Sequence, residues 1–204
     1  MRQRTPFFRW FRTIPILSMA LVGALSMGLV NLPSFAPTEM VMHYLFPVQY
    51  REEILNSSAR YGVDPLLVCS IIKCESGWDA AAESDAGAVG LMQLMPSTSE
   101  ELANNGIVDG WTYDHTNLTD PATNIEYGCA YLAQLQYRLS STDEVIAAYN
   151  AGPASVESWL QSGGDLSEVI DFPETAMYLT RVKDSYARYQ ELYTETLEER
   201  EASQ

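Results

Sequence analysis

The 204-residue chain is long enough for one globular domain with appendages, and 47% of its residues are hydrophobic, as in folded domains. Its charge is lopsided: residues 1–36 hold four arginines and no acid, leaving 8 basic against 27 acidic side chains in residues 37–204, a net of −19. Such a surface repels phosphate and excludes nucleic acid as a partner. It attracts no other anionic polymer either, and solubility of an exported domain accounts for it without any partner.

Arg2, Arg4, Arg9 and Arg12 precede Ile14–Leu32, a run of 19 residues with no charge. A helix needs about 20 apolar residues to span a bilayer. Arginines before the run and Glu39 after it place residues 1–13 in the cytoplasm by the positive-inside tendency. Ser34-Phe35-Ala36 resembles a signal-peptidase site, but cleavage there would leave Pro37 first. The run also exceeds the about 7–15 residues of a signal-peptide core. A single-pass anchor over 14–32 is therefore expected, in the cell membrane, with the rest of the chain on its extracytoplasmic side.

Residues 33–48, with Pro33, Pro37 and Pro47, read as a linker. A helix is expected over Tyr50–Arg60, ended near Gly62. Asp64-Pro65 opens a second, with Asp as N-cap and Pro at the first helical position; it stops at Gly77. Pro96-Ser97 opens a third, where Ser97 and Glu100 form a capping box. Asp120-Pro121 starts a long fourth helix with Ile125, Cys129, Leu132, Leu135 and Leu139 at helical spacing. Thr142–Asn150 and Pro153–Leu160 follow, and Pro173 opens the last, reaching Leu197. No alternating run reads as a strand. Residues 84–90 and 104–120 are glycine-bearing loops, the second long enough to suggest a function. The expected architecture is all-α, one helical domain over 49–197 and a frayed tail over 198–204.

Two histidines far apart, His43 and His115, build no metal motif, and no G-x-S-x-G elbow is present. Cys69 and Cys74, five apart on one helix, point in different directions. Either one joins Cys129 in an oxidising compartment, or all three are small buried residues. Glu75 closes the apolar helix, with Ile71 and Ile72 on its face. A carboxyl group among isoleucines loses hydration, which raises its pKa and suits a general acid. Its position alone favours an ordinary acid at a helix end, solvated or paired. Trp78, Trp111, Tyr149, Trp159 and Tyr178, with Asn150 beside Tyr149, suit either sugar binding or a core.

Five segments occur in order: Cys74-Glu75-Ser76-Gly77-Trp78; Ser84 to Pro96, containing Gly90-Leu91-Met92-Gln93; Asp120-Pro121-Ala122-Thr123-Asn124-Ile125 with Gly128 and Tyr131-Leu132; Ala148-Tyr149-Asn150-Ala151-Gly152-Pro153 with Val156 and Trp159; and Glu174-Thr175 with Tyr178 and Val182. Together they resemble the catalytic domain of soluble-type lytic transglycosylases, the goose-lysozyme-like branch of the lysozyme superfamily, over roughly residues 50–190. The resemblance implies a lysozyme-like fold with a substrate groove, no cofactor and no metal, a monomer, and peptidoglycan glycan strands as substrate. It puts the catalytic acid/base on Glu75 and substrate contacts on Ser84, Met92, Gln93, Tyr149, Asn150 and Tyr178. Tyr178 is to face Glu75, with Gly90 and Glu174 structural near the site. It implies one catalytic carboxylate where lysozyme uses two. The products would then be 1,6-anhydro-N-acetylmuramic acid ends, formed without water. Asp79, Glu83 and Asp85 lie close enough in sequence to supply a second carboxylate, which keeps lysozyme-like hydrolysis as the alternative. A wall-binding module without activity is a further one.

Overall fold

The computed structural model describes residues 38–163 and 165–201, which fall into two compact units divided between Leu45 and Phe46. The apolar run 14–32 lies outside the described residues. Among the described residues no helix is long and apolar enough to cross a membrane. In the first unit, α1 spans Thr38–Leu45. It occupies eight residues of the expected linker, because no proline or glycine falls between Pro37 and Pro47 to interrupt it.

The second unit is helical. Its elements are α2 (Arg51–Tyr61), α3 (Pro65–Glu75), α4 (Pro96–Asn104), α5 (Pro121–Arg138), α6 (Thr142–Ala151), α7 (Pro153–Gln161), α8 (Leu166–Val169) and α9 (Pro173–Glu201). Among the described residues strand pairing is confined to isolated antiparallel bridges, Glu83 with Val89 and Val89 with Leu94. Proline at the first helical position starts α3, α4, α5 and α7. Asp64 caps α3 by accepting from the Leu66 N–H at 2.7 Å, and Asp120 caps α5 from Thr123 at 2.9 Å. The expected capping box of α4 does not form. Met95 is the N-cap and makes no side-chain cap; with Pro96 already helical, Ser97 lies inside the first turn, where its hydroxyl cannot cap. The four-residue α8, opened by Asp165, was not expected.

The core centres on α3. Leu66 through Ile72 are all buried, so this helix is enclosed on every side, as its lack of a polar face requires. Tyr178, Val182 and Tyr189 of α9 and Ile125, Leu132 and Leu135 of α5 belong to the same cluster. Cys69, Cys74 and Cys129 are free thiols. Burial pushes Cys69 and Cys129 up to about 12, so both are inert spacers.

Polar burial is concentrated on Glu126 of α5, which is 1% exposed. It accepts from Ser57 Oγ at 2.5 Å, from Tyr61 OH at 3.0 Å and from the Arg60 guanidinium. Arg60 also donates to Tyr113 OH, at 3.4 Å. The 105–120 segment is thereby tied to α2, and Val108 and Leu118 anchor it in the core. Removing one partner of a buried charged network strands the others. Glu126→Ala is therefore expected to cost about 2–4 kcal/mol in urea unfolding. Glu157→Ala, which breaks the exposed Arg138–Glu157 pair, should cost less than about 1 kcal/mol. Equal losses would refute the assignment.

Candidate active site

Glu75 is the last residue of α3, where the chain turns through left-handed Gly77 (φ 61°) and Trp78 (φ 76°). Ser76 secures this end: its hydroxyl donates to the Leu91 carbonyl at 2.8 Å and accepts from the Trp78 N–H at 3.1 Å. The Trp78 indole donates to Tyr189 OH of α9 at 3.2 Å. The carboxyl group is thus held between α9 and the 84–95 loop.

Tyr178 of α9, 2% exposed, donates its hydroxyl to Glu75 Oε1 at 2.6 Å. Burial pushes Glu75 above the usual carboxylate range, while the Tyr178 hydroxyl and the Arg181 guanidinium pull it back down. The rise wins, because desolvation among apolar side chains exceeds what one neutral donor and one exposed cation return. Tyr178 and Tyr149 are themselves raised far above an ordinary phenol, first by burial and then by the Glu75 charge. Both therefore remain protonated donors.

Loop 84–95 is shaped by backbone needs. Gly90 is left-handed at φ +82°, and a Cβ there would overlap the Asn124 amide and the Leu118 carbonyl. Asn124 of α5, fully buried, accepts from the Met92 N–H at 2.7 Å and donates to the Leu118 and Val89 carbonyls at 2.8 and 2.9 Å. The Met92 carbonyl accepts from Tyr149 OH at 2.8 Å. The Met92 backbone is thus gripped at its N–H by α5 and at its carbonyl by α6.

Met92 is a correction to the sequence reading. Expected to line a groove, its side chain is fully buried and lies against Gly128, where no Cβ would fit. Gln93, left-handed at φ 48°, donates its amide to the Gly90 and Ala82 carbonyls at 2.9 and 3.1 Å. Ser84 Oγ accepts from the Ala88 N–H at 3.0 Å. The Gln93 Nε2 and the Ser84 Oγ thus each make contacts within the loop, and both residues are half-exposed. Asn150 is exposed at the end of α6, its Oδ1 accepting from Thr175 at 2.9 Å. Glu174 is exposed; its neighbour Thr175 is the buried member of that pair. Asp79, Glu83 and Asp85 are all exposed, and no carboxylate is among the groups that shift Glu75.

Asn124, Ser76, Thr175 and Arg181 were not picked out as site residues. Asn124 carries a faint signal, an amide one turn inside an otherwise apolar helix. Arg181 carries none, since its proximity to Glu75 depends on how α9 crosses α3. Among the described residues no group of three His, Cys, Asp or Glu side chains could hold a metal ion.

The fold and site define a lysozyme-like helical domain with a half-buried carboxyl group, Glu75, at the end of its central helix. The chain belongs to the transglycosylase SLT domain family, whose profile matches residues 52–171. It is 34% identical over 154 residues to the soluble lytic murein transglycosylase of Escherichia coli, covering 71% of this chain and 24% of that protein. The membrane-bound lytic murein transglycosylase C of Edwardsiella ictaluri is 36% identical over 116 residues, 53% of this chain and 32% of the relative. The crystal structure of the 70-kDa soluble lytic transglycosylase from Escherichia coli superposes with a TM-score of 0.68 at 29% identity, over 73% of this chain and 25% of that one. The chain thus spans about a quarter of the length of the soluble relative.

The raised Glu75 has a thermodynamic consequence. A carboxyl group whose folded pKa exceeds its unfolded value, about 4.3, favours folding most below that value and loses the benefit as pH rises through the folded pKa. Glu75→Gln removes the ionised form. The variant should therefore be more stable than wild type at pH 7, with the gap closing toward about pH 4. Urea midpoints across that range test this; a gap independent of pH, or of opposite sign, would refute it.

Proposed function

We propose that this protein is a peptidoglycan lytic transglycosylase in which Glu75 alone supplies the acid and the base. The carrying observation is the half-buried Glu75 carboxyl group that receives the Tyr178 hydroxyl at 2.6 Å. The names of the relatives, lytic murein transglycosylases, support the same substrate class.

In the first step the Glu75 carboxyl proton passes to the bridging oxygen between N-acetylmuramic acid and N-acetylglucosamine. That bond breaks and the glucosamine leaves with a new hydroxyl. Glu75, now a carboxylate, takes the proton of the muramyl C6 hydroxyl. The C6 oxygen closes on the anomeric carbon to give the 1,6-anhydro ring, and no water is consumed. A raised pKa serves the first step and the Tyr178 hydrogen bond serves the second, because it stabilises the carboxylate. Exposed Asn150 and half-buried Tyr149 are the polar and aromatic groups assigned to the sugar. The chain is assigned to the cell membrane through residues 14–32, with residues 49–197 acting as a monomer on the extracytoplasmic face.

Residues 37–204, purified, should digest peptidoglycan to anhydromuropeptides. Glu75→Gln should lower the rate at least about 10³-fold, the scale of losing a positioned general acid. Mass spectrometry of the products is the check. Muropeptides with only reducing ends would establish hydrolysis instead, and sacculi bound but left intact would remove the enzyme reading.

A further inference from the structure

Of the three described tryptophans, Trp78 and Trp159 are buried, whereas Trp111 is fully exposed. An indole left wholly in water gives the fold none of the stabilisation that its burial would. It stands beside an open groove of about 590 Å³ between the end of α4 and the turn that follows it. No residue of α6, α9 or the 84–95 loop, the parts around Glu75, lines this groove.

The turn that presents the ring is fixed at both ends. Val108 is buried, and the Tyr127 hydroxyl donates to the Tyr113 carbonyl at 3.0 Å. Between them Asp109 accepts from the Trp111 N–H at 3.1 Å and from the Thr112 hydroxyl at 2.7 Å, one bond on each carboxylate oxygen. Those bonds, the Thr112 hydroxyl first, hold the Asp109 carboxyl below the usual carboxylate range. It is therefore ionised, and each oxygen keeps a lone pair for a further donor. Gly106 and Gly110 put no side chain into the groove, and nothing lies within 4 Å of where a Gly106 Cβ would stand. The groove thus joins an apolar ring face, a fixed acceptor and uncovered backbone.

That set of groups suits a pyranose, whose C–H face stacks on an aromatic ring while its hydroxyl and amide hydrogens point to a rim of acceptors. Other occupants fit it poorly. Ile107 and Trp111 are the exposed large apolar side chains within residues 105–120, too few for a protein interface of about 800 Å² per partner. The exposed carboxylates of Asp109 and Asp114 repel phosphate and anionic lipid. On the transglycosylase reading above, the substrate is a strand of many sugars, and its N-acetylglucosamine units carry no charge. We propose that Trp111 and Asp109 form a second glycan-binding site, which stacks an N-acetylglucosamine away from the bond being cleaved and retains the enzyme on long strands.

The test uses the full chain carrying Glu75→Gln, which suppresses cleavage, with Trp111→Ala or Trp111→Tyr added. Trp111 is exposed, so both should unfold at the urea midpoint of the parent. The probe is long glycan strands freed of peptide by an amidase. Trp111→Ala should bind them about three- to tenfold more weakly, the yield of one aromatic contact, and Trp111→Tyr should keep most of the affinity. With Glu75 restored, Trp111→Ala should raise KM on long strands by a similar factor and leave kcat/KM on a tetrasaccharide within about twofold of wild type. Unchanged binding in Trp111→Ala, a Trp111→Tyr variant equally weak, or equal losses on long and short substrates would overturn the proposal. Binding to peptide-bearing strands but not to peptide-free ones would assign the ring to a peptide ammonium and also overturn it. The binding measurement needs no cleavage. If wild type cleaves no strand, the transglycosylase reading fails, and the loss of binding in Trp111→Ala still decides the second site.

Discussion

A carboxyl group at the end of a helix buried over most of its length has to be kept from water without being sealed off from a ligand. α3 creates the problem. Its seven consecutive buried residues from Leu66 to Ile72 can sit only at the centre of the domain, and Glu75 follows one turn from them. Burial alone shifts the group toward its protonated form, which suits an acid and handicaps a base. The hydrogen bond from Tyr178, with the more distant Arg181, supplies the counterweight. Both come from α9, so the crossing of α9 over α3 sets the proton affinity of the group as well as the core packing. One helix pair therefore fixes both stability and chemistry.

The 84–95 loop depends on the same arrangement at one remove. Its shape follows from Asn124, whose single amide satisfies three backbone groups, and from Tyr149, which takes the Met92 carbonyl. Buried backbone polar groups without partners are costly. A loop with only isolated bridge pairs therefore has to find them on helices far away in sequence. Met92, expected as a ligand, instead makes the loop possible, and Gln93 also contributes to its shape. Met92 plugs the space left by Gly128, and Gln93 closes its own turn.

These particulars separate what the sequence discloses from what it hides. Helix starts are local events, and Asp64-Pro65 and Asp120-Pro121 announce them because an acid cap and a fixed φ act within four residues. The false box at Ser97 and Glu100 fails for an equally local reason: proline starts the helix one residue earlier. Glu75 was legible as a shielded carboxyl group because helical spacing places Ile71 and Ile72 beside it. The direction of a loop side chain has no such rule. Whether Met92 faces in or out depends on left-handed turns at Gly90 and Gln93 and on an amide 32 positions away. The contact between Tyr178 and Glu75 spans 103 positions, and the resemblance to a family, not periodicity, pointed to it. Arg181 had neither source.

On the proposed reading, the lack of any carboxylate among the groups that shift Glu75 fits ring closure better than hydrolysis. Inverting hydrolysis needs a second carboxylate to activate water, and retaining hydrolysis needs one as nucleophile. Asp79, Glu83 and Asp85 are exposed and do not act on Glu75. A single carboxyl group that has given up its proton becomes the strongest base within reach. On the proposed transglycosylase reading, the C6 hydroxyl of the muramyl residue is a nucleophile whose attack is intramolecular. Intramolecular attack has an entropic advantage over bulk water. The carboxylate must last long enough to take the second proton, and the Tyr178 hydroxyl, kept protonated by its own burial, is the donor that sustains it.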